Sequence, residues 1–334
     1  MSHHKWVSFF GLGFACALAG CSASNGSATA EDSQASHAEI GTTAQAASQA
    51  TAPTEASMTS ASSTAIAPTT SVLALIVSRD QRLCPTPLCG GYIIRALNIG
   101  QNQYVSGIDF SAIDPTSKSQ MAGAADGELV MNGTFSRPEP TFHTRQFIAK
   151  TMYRGMPGVT PASGEGFYTA ADRVPPIECL VAPCPNEIAT LVNTTKTTAF
   201  DTFSVARASE PFVDQPWLTE RVRHHGAVVS AALVSGAQQP GGLETILDSS
   251  QVFIQLPYSD GPCPLVPIRV CDPPGVYVYT RSVDRCLIPD GCVVPGICPL
   301  FVPSCSAGYT LQSWATLPNA CPAYACDPTF TVKF

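Results

Sequence analysis

The chain has 334 residues, 13% of them charged, and a formal net charge of −7. That length permits two or more domains with buried cores. The acidic balance excludes the basic footprint that nucleic-acid binding needs, so no nucleic-acid partner is expected.

The N-terminus opens with His3, His4 and Lys5 and continues through an apolar stretch from Trp6 to Ala19. A weakly basic start, a short apolar run and small residues before a cut site describe an export signal, not a spanning helix. The cut site, Leu18-Ala19-Gly20-Cys21, resembles the lipobox of bacterial lipoproteins. The resemblance implies a leader at residues 1–20 and an acylated Cys21 as the new N-terminus. With Ser22 next, where Asp would retain it, the resemblance also implies the outer membrane, facing the periplasm or the cell surface.

Residues 21–70 are almost wholly Ala, Ser, Thr, Gln and Gly after the cysteine, with Glu31, Asp32, Glu39 and Glu55 and no Lys or Arg. Such a composition buries too little apolar surface to offset its ordering entropy, and a disordered tether is expected. Its root-mean-square span would be about 40 Å, at roughly 5–6 Å times the square root of length.

A folded body is expected from residue 71 to 258, opening with a buried strand at Ser71–Val77. Within it a pattern occurs twice. Cys84 and Cys89 enclose Pro85, Pro87 and Leu88, and Asn98 follows nine residues after the second cysteine. Cys179 and Cys184 enclose Leu180, Val181 and Pro183, and Asn193 again follows nine residues on. Asp114-Pro115 then opens a helix expected to stop at Gly127, and Asp214-Gln215-Pro216 opens one expected to stop at Gly226. An Asp cap, an early Pro and a terminal Gly are the punctuation of short helices. The expected class is α+β: an internally duplicated, mainly-β body with short helices, its copies at about 71–136 and 165–236, then small disulfide-rich repeats.

Two tandem cysteine-rich modules are expected over residues 259–334. Cys263, Cys271, Cys286 and Cys292 are answered in order and spacing by Cys298, Cys305, Cys321 and Cys326. Modules of this size need cross-links to be stable, and three pairings are open within each. Of the 14 cysteines, Cys16 leaves with the leader and Cys21 carries lipid, so twelve remain for disulfides. No C-x-x-C occurs, against thioredoxin-type chemistry and zinc ribbons.

The stretches Asp80–Tyr92, Gly166-Phe167-Tyr168 and Cys179–Cys184 resemble a family of uncharacterised myxobacterial-type secreted lipoproteins. These share a domain of unknown function built around two C-x4-C loops, and the resemblance covers roughly residues 71–258. It implies no activity. The tail modules resemble antistasin-type repeats in having Cys, then Gly and Tyr, then a late cysteine pair, with fewer cysteines per repeat.

Candidate sites each have a plainer reading. Arg221, Arg223, His224 and His225 suggest a ligand or base site, but a cationic helix end also complements the helix dipole. His143 is the remaining body histidine that a Ser-His-Asp triad would use, yet no G-x-S-x-G, H-E-x-x-H or S-x-x-K set accompanies it. Asp109, Asp114, Asp126 and Glu128 suggest paired carboxylates or calcium, but lack a calcium-loop pattern and suit turns and caps. Asp284-Arg285-Cys286-Leu287 suggests a protease-facing loop, and Tyr277, Tyr279, Tyr309 and Trp314 either a binding face or a minimal core. No cofactor and no metal are expected. The reading that unites these features is a lipid-anchored, non-catalytic binding, adhesive or structural protein, with an envelope or extracellular protein or glycan as partner. Protease inhibition by the tail repeats and a hydrolase with a dispersed site are the alternatives.

Overall fold

The computed structural model describes residues 73–224, 226–258, 261–265 and 270–331. The expected leader, Cys21 and the tether lie outside them. The first half of the body runs β1 (Leu73–Arg79), β2 (Tyr92–Ala96), β3 (Asn102–Val105), β4 (Gly107–Asp109), α1 (Pro115–Met121), β5 (Leu129–Phe135) and β6 (Gln146–Gly155). The second half runs β7 (Gly166–Asp172), β8 (Glu187–Leu191), β9 (Thr197–Phe200), β10 (Thr202–Ser204), α2 (Gln215–His224), β11 (Val228–Gln239) and β12 (Gly242–Leu256). The body is therefore mainly β, with two short helices among the described residues.

These strands form one sheet of order β3-β2-β1-β5-β6-β12-β11-β7-β8-β9, with β4 parallel to β6 and β10 parallel to β12. The order reads the same from either edge when β1 is matched with β7, β2 with β8, and so on. The halves meet where Arg154 lies opposite Ile254, flanked by Tyr153 opposite Gln255 and Gly155 opposite Phe253.

The sheet has two cores. The larger lies under the helices and includes Phe147, Met152, Phe200, Trp217, Leu218 and Leu247, all fully buried. The smaller contains Ala74 and Ile76 from β1, Val130 from β5, Tyr153 from β6, Phe253 from β12, Val228 from β11 and Phe167 from β7. One face can bring side chains from all six central strands together only if the sheet curls toward itself.

Two asparagines hold that curl. Asn98 and Asn193 both adopt left-handed backbone, with φ of 62° and 61°, a conformation Asn tolerates better than most residues. Asn98 Nδ2 donates to the carbonyls of Phe167 (2.8 Å) and Val192 (2.9 Å), and its Oδ1 accepts from Phe167 N (2.8 Å). Asn193 Nδ2 donates to the carbonyls of Ala74 (2.8 Å) and Leu97 (3.1 Å), and its Oδ1 accepts from Ala74 N (2.9 Å). Each half thus reaches into the equivalent place of the other.

Both helices begin at the expected Asp. Asp114 Oδ1 accepts from Thr116 N at 2.7 Å, and Asp214 Oδ1 from Trp217 N at 3.1 Å. The first helix ends earlier than its sequence suggests, at Met121 instead of near Gly127. Gly123 takes the left-handed conformation just past the end. Arg154 Nη1, from β6, occupies the released carbonyls of Gln120 and Ala122.

The tail forms two hairpins, β13 (Val276–Arg281) with β14 (Leu287–Val293) and β15 (Tyr309–Thr316) with β16 (Cys321–Pro328), followed by a short 3-10 turn at Thr329–Thr331. The disulfides are Cys84–Cys89, Cys179–Cys184, Cys263–Cys286, Cys271–Cys292, Cys298–Cys321 and Cys305–Cys326. Both modules use the same pairing, first to third and second to fourth, with separations of 23 and 21 residues in each. The tail also shares the body's core. Tyr309, Cys326 and Phe330 belong to the larger cluster, and Tyr309 Oη donates to the Pro157 carbonyl at 3.1 Å. Gly308 sits where a Cβ would come within 2.5 Å of Pro157, so this crossing requires glycine.

Asn193→Ala removes three hydrogen bonds and places alanine in a left-handed conformation. It is expected to cost about 2–3 kcal/mol, read from urea unfolding with an unchanged slope. A loss below about 0.5 kcal/mol would show that the amide does not hold the halves together.

Candidate functional site

The polar candidates separate in space. Arg221, buried in α2, pairs with Asp284 of the tail at 2.7 Å, and Arg223 pairs with Glu187 of β8. His224 lies 3.8 Å from Asp172 and 3.9 Å from Glu220 at the exposed helix end, and His225 is outside the described residues. Burial pushes the Glu187 carboxyl up, against the pull of Arg223. His143 is exposed in the turn between β5 and β6, with positive φ, and its N–H donates to the Glu139 carbonyl.

Three of the four carboxylates make local turn or cap contacts, and Asp126 instead holds the distant end of β1. Asp109 accepts from Ser111 N, Asp114 from Thr116 N, Asp126 from Arg79 N and Glu128 from Ala125 N. Hydrogen bonds from Ser111 and Thr116 hold Asp109 and Asp114 below the usual carboxylate range. Among the described residues no group of three His, Cys, Asp or Glu is placed to hold a metal ion.

Arg285, which the sequence suggests as a protease-facing residue, is turned inward and only 8% exposed. Its guanidinium lies over the rings of Trp217 (4.6 Å) and Tyr258 (5.4 Å) and donates to Thr331. It cannot enter a protease pocket without leaving this seat. The four tail aromatics that the sequence singles out divide. Tyr309 is core, the Tyr277 and Tyr279 rings meet tilted at 35° with centres 6.3 Å apart, and Tyr279 and Trp314 line a cleft.

That cleft, of about 560 Å³, lies where the start of α2 meets both tail hairpins. Its walls include Gln215, Pro216, Tyr279, Trp314, Leu317 and Tyr324, with Thr280 and Asp290 at the rim. Thr280 Oγ1 donates to Asp290 Oδ2 at 2.9 Å. A smaller cavity of about 200 Å³, lined by Arg285, Gln312, Ser313 and Asp327 among others, shares Arg281 and Trp314 with the cleft.

Beneath the shared wall is a buried charge cluster. Arg281 pairs with Asp327 and lies 3.5 Å from Asp214, and Arg285 lies 3.5 Å from Asp327. Among the described residues two guanidiniums face two carboxylates, the matching of opposite charges that burial favours. The Arg281 side chain is 7% exposed and its guanidinium sits 5.1 Å from the Trp314 ring centre, fixing that ring. Arg281 Nη1 and Asp327 Oδ1 are buried without a hydrogen-bond partner among the described residues. Nothing in the local pattern foretells this cluster, because Asp214, the Arg281/Arg285 hairpin and Asp327 come from three separate segments.

The arrangement is suited to binding: rigid aromatic walls, a few convergent polar groups and a concave shape.

A family model described as a domain of unknown function (DUF6748) matches residues 74–254, and the chain belongs to that family. An uncharacterized protein of Dictyostelium discoideum is 28% identical over 258 residues, covering 75% of this chain and 85% of that protein. No solved structure matches. The family match spans the body, so the cleft lies on the seam between the family domain and the tail.

Burial raises the Asp214 carboxyl above its usual range, against the opposing Trp217 N–H and Arg281. A carboxyl whose folded pKa is raised costs stability when ionised, and that cost is lifted as pH falls through the raised value. Asp214→Asn keeps a cap oxygen without the charge. Its stability relative to the native chain is expected to be greatest at about pH 7 and to decline toward about pH 4, measured from urea midpoints. A relative stability that rises on acidification would contradict the burial argument.

Proposed function

We propose that this member of the DUF6748 family is an exported, lipid-anchored binding protein without catalytic activity, held at the outer membrane through Cys21. The cross-linking carries the reading: six disulfides occur among the described residues, and such bridges form and persist in oxidising compartments. The apolar run Trp6–Ala19 ending in Leu18-Ala19-Gly20-Cys21 supports export and acylation. No described helix is long and apolar enough to cross a membrane. The tether at 22–70 gives the body reach away from the bilayer.

An internal duplication of the body belongs to the same proposal. The symmetric strand order and the reciprocal contacts of Asn98 and Asn193 support it. Binding of another envelope or extracellular component is supported by the cleft, whose walls are fixed by disulfides, ion pairs and ring contacts. Such preorganisation favours affinity by reducing the ordering cost of association.

Expressed in a Gram-negative host, the protein is expected to partition into the detergent phase of Triton X-114 and into the outer-membrane fraction. Cys21→Ala should move it to the aqueous phase. Equal partitioning of the two forms would reject lipid anchoring.

A further inference from the structure

We propose that the second cysteine-rich module carries a membrane-seating face, which rests on a lipid bilayer and inserts Ile297, Leu300 and Phe301 among the headgroups and upper acyl chains. The inference rests on the lipid-anchored reading above and adds a second, reversible contact with the same membrane.

The sequence of this module is free of charge. Between Asp290 and Asp327 there is no Asp, Glu, Lys, Arg or His, whereas the hairpin before it carries Arg281, Asp284, Arg285 and Asp290. Within that stretch Ile297 is 98% exposed, Leu300 104%, Phe301 58% and Val302 64%. Side chains left in water add nothing to a core, and adjoining exposed apolar side chains mark a contact surface.

The fold gathers them. Gly296 N donates to the Asn319 carbonyl at 2.9 Å, which lays this segment beside the turn that carries the half-exposed Leu317. The Phe301 ring lies 5.9 Å from that of Phe212, which is also exposed. Phe212 has a φ of 75°. A bulky residue in left-handed backbone is strained, and here the strain presents an aromatic ring to solvent. Cys298–Cys321 and Cys305–Cys326 pin both ends of the loop to β16, so little ordering entropy is lost on contact.

The missing charge names the occupant. A protein interface surrounds its apolar centre with a polar rim, and this stretch supplies no charged residue for one. A bilayer penalises every charge that enters it, and the segment meets that condition. A bilayer also penalises unpaired backbone N–H groups, and Pro295 and Pro299 remove two of them from the loop. Trp314 and Tyr324, half-buried on the same hairpin, are residue types that settle at headgroup level. The charges of the neighbouring cluster are withdrawn, with the Arg281, Asp214 and Asp327 side chains no more than 13% exposed. The chain between Cys21 and the body is residues 22–70, and a flexible linker of that length keeps the face at high effective concentration over the bilayer. Leu83 and Leu180 are as exposed as Leu300, but Arg82 adjoins one and Glu178 lies two residues before the other, which suits both to water.

The test uses the mature chain from residue 21, oxidised and carrying Cys21→Ala so that no acyl chain contributes. It is floated with vesicles of phosphatidylcholine and phosphatidylethanolamine. About half of the protein is expected to float at about 1 mM lipid, equally in about 50 mM and about 500 mM salt. Leu300→Asp and Phe301→Asp should each lower the partition coefficient about tenfold or more, while Leu180→Asp leaves it unchanged. These side chains are exposed, and near-UV circular dichroism checks that each variant is folded; Ile297→Asp replaces any that is not. No flotation of the folded chain overturns the inference, as does flotation abolished by salt or lowered equally by Leu180→Asp and Leu300→Asp. Self-association in the ultracentrifuge that Leu300→Asp abolishes, without flotation, gives the face to a second copy and also overturns it. The vesicle assay contains no anchor, so its outcome is separate from the Cys21→Ala partition that decides anchoring.

Discussion

Two asparagine side chains close the body where no backbone ladder does. A twisted sheet with free edges at β3 and β9 would open outward. Asn98 and Asn193 instead draw the outer ends of β1 and β7 to the opposite half, each through three hydrogen bonds. A primary amide suits the task because it carries donor and acceptor together and so satisfies the N–H and C=O of a strand at once. With the halves held, Ala74, Ile76, Val130, Tyr153, Val228 and Phe253 face one another across a core instead of facing water. That apolar burial is the larger stabilising effect, and the asparagines decide its geometry.

The tail completes the larger core. Its bridges limit the unfolded chain, contributing on the order of 3 kcal/mol each by the chain-entropy account. The bridges alone do not give the hairpins a place to rest. Tyr309, Phe330 and Arg285 provide it: Tyr309 bonds to Pro157, Phe330 lies 4.8 Å from Arg154, and Arg285 stacks on Trp217. Arg154 serves both ends of this arrangement. It terminates α1 through the Gln120 and Ala122 carbonyls and meets the tail through Phe330. The cleft follows from this seating. It forms where hairpin aromatics approach the start of α2, over a cluster of opposite charges whose matching burial favours.

Local features were legible in the sequence because their causes are local. Asp114 and Asp214 cap their helices because a short carboxylate reaches the N–H groups two or three residues on. Cys84–Cys89 and Cys179–Cys184 close because five residues of separation bring the sulfurs together across a turn. The recurrence of Asn nine residues past each loop was visible in the sequence, but neither its left-handed backbone nor what its side chain touches could be read there. Where α1 ends was misjudged from the sequence, because Gly123 stops the helix and the arginine that donates to its last carbonyls lies on β6, more than thirty residues away. The loop around Arg285 looked exposed for a related reason: the tryptophan that receives its guanidinium lies on α2.

By itself the sequence determined which cysteines of the body pair and the residues that start each helix, since each depends on neighbours along the chain. Only the tertiary structure decided which of three pairings the tail cysteines adopt. It likewise decided that Tyr309 is core while Trp314 faces a cleft, and that Asp214, Arg281, Arg285 and Asp327 share one buried cluster. Those outcomes depend on what lies opposite in space: Asp214 and Asp327 both meet Arg281, and no spacing pattern along a chain encodes contacts between segments so far apart.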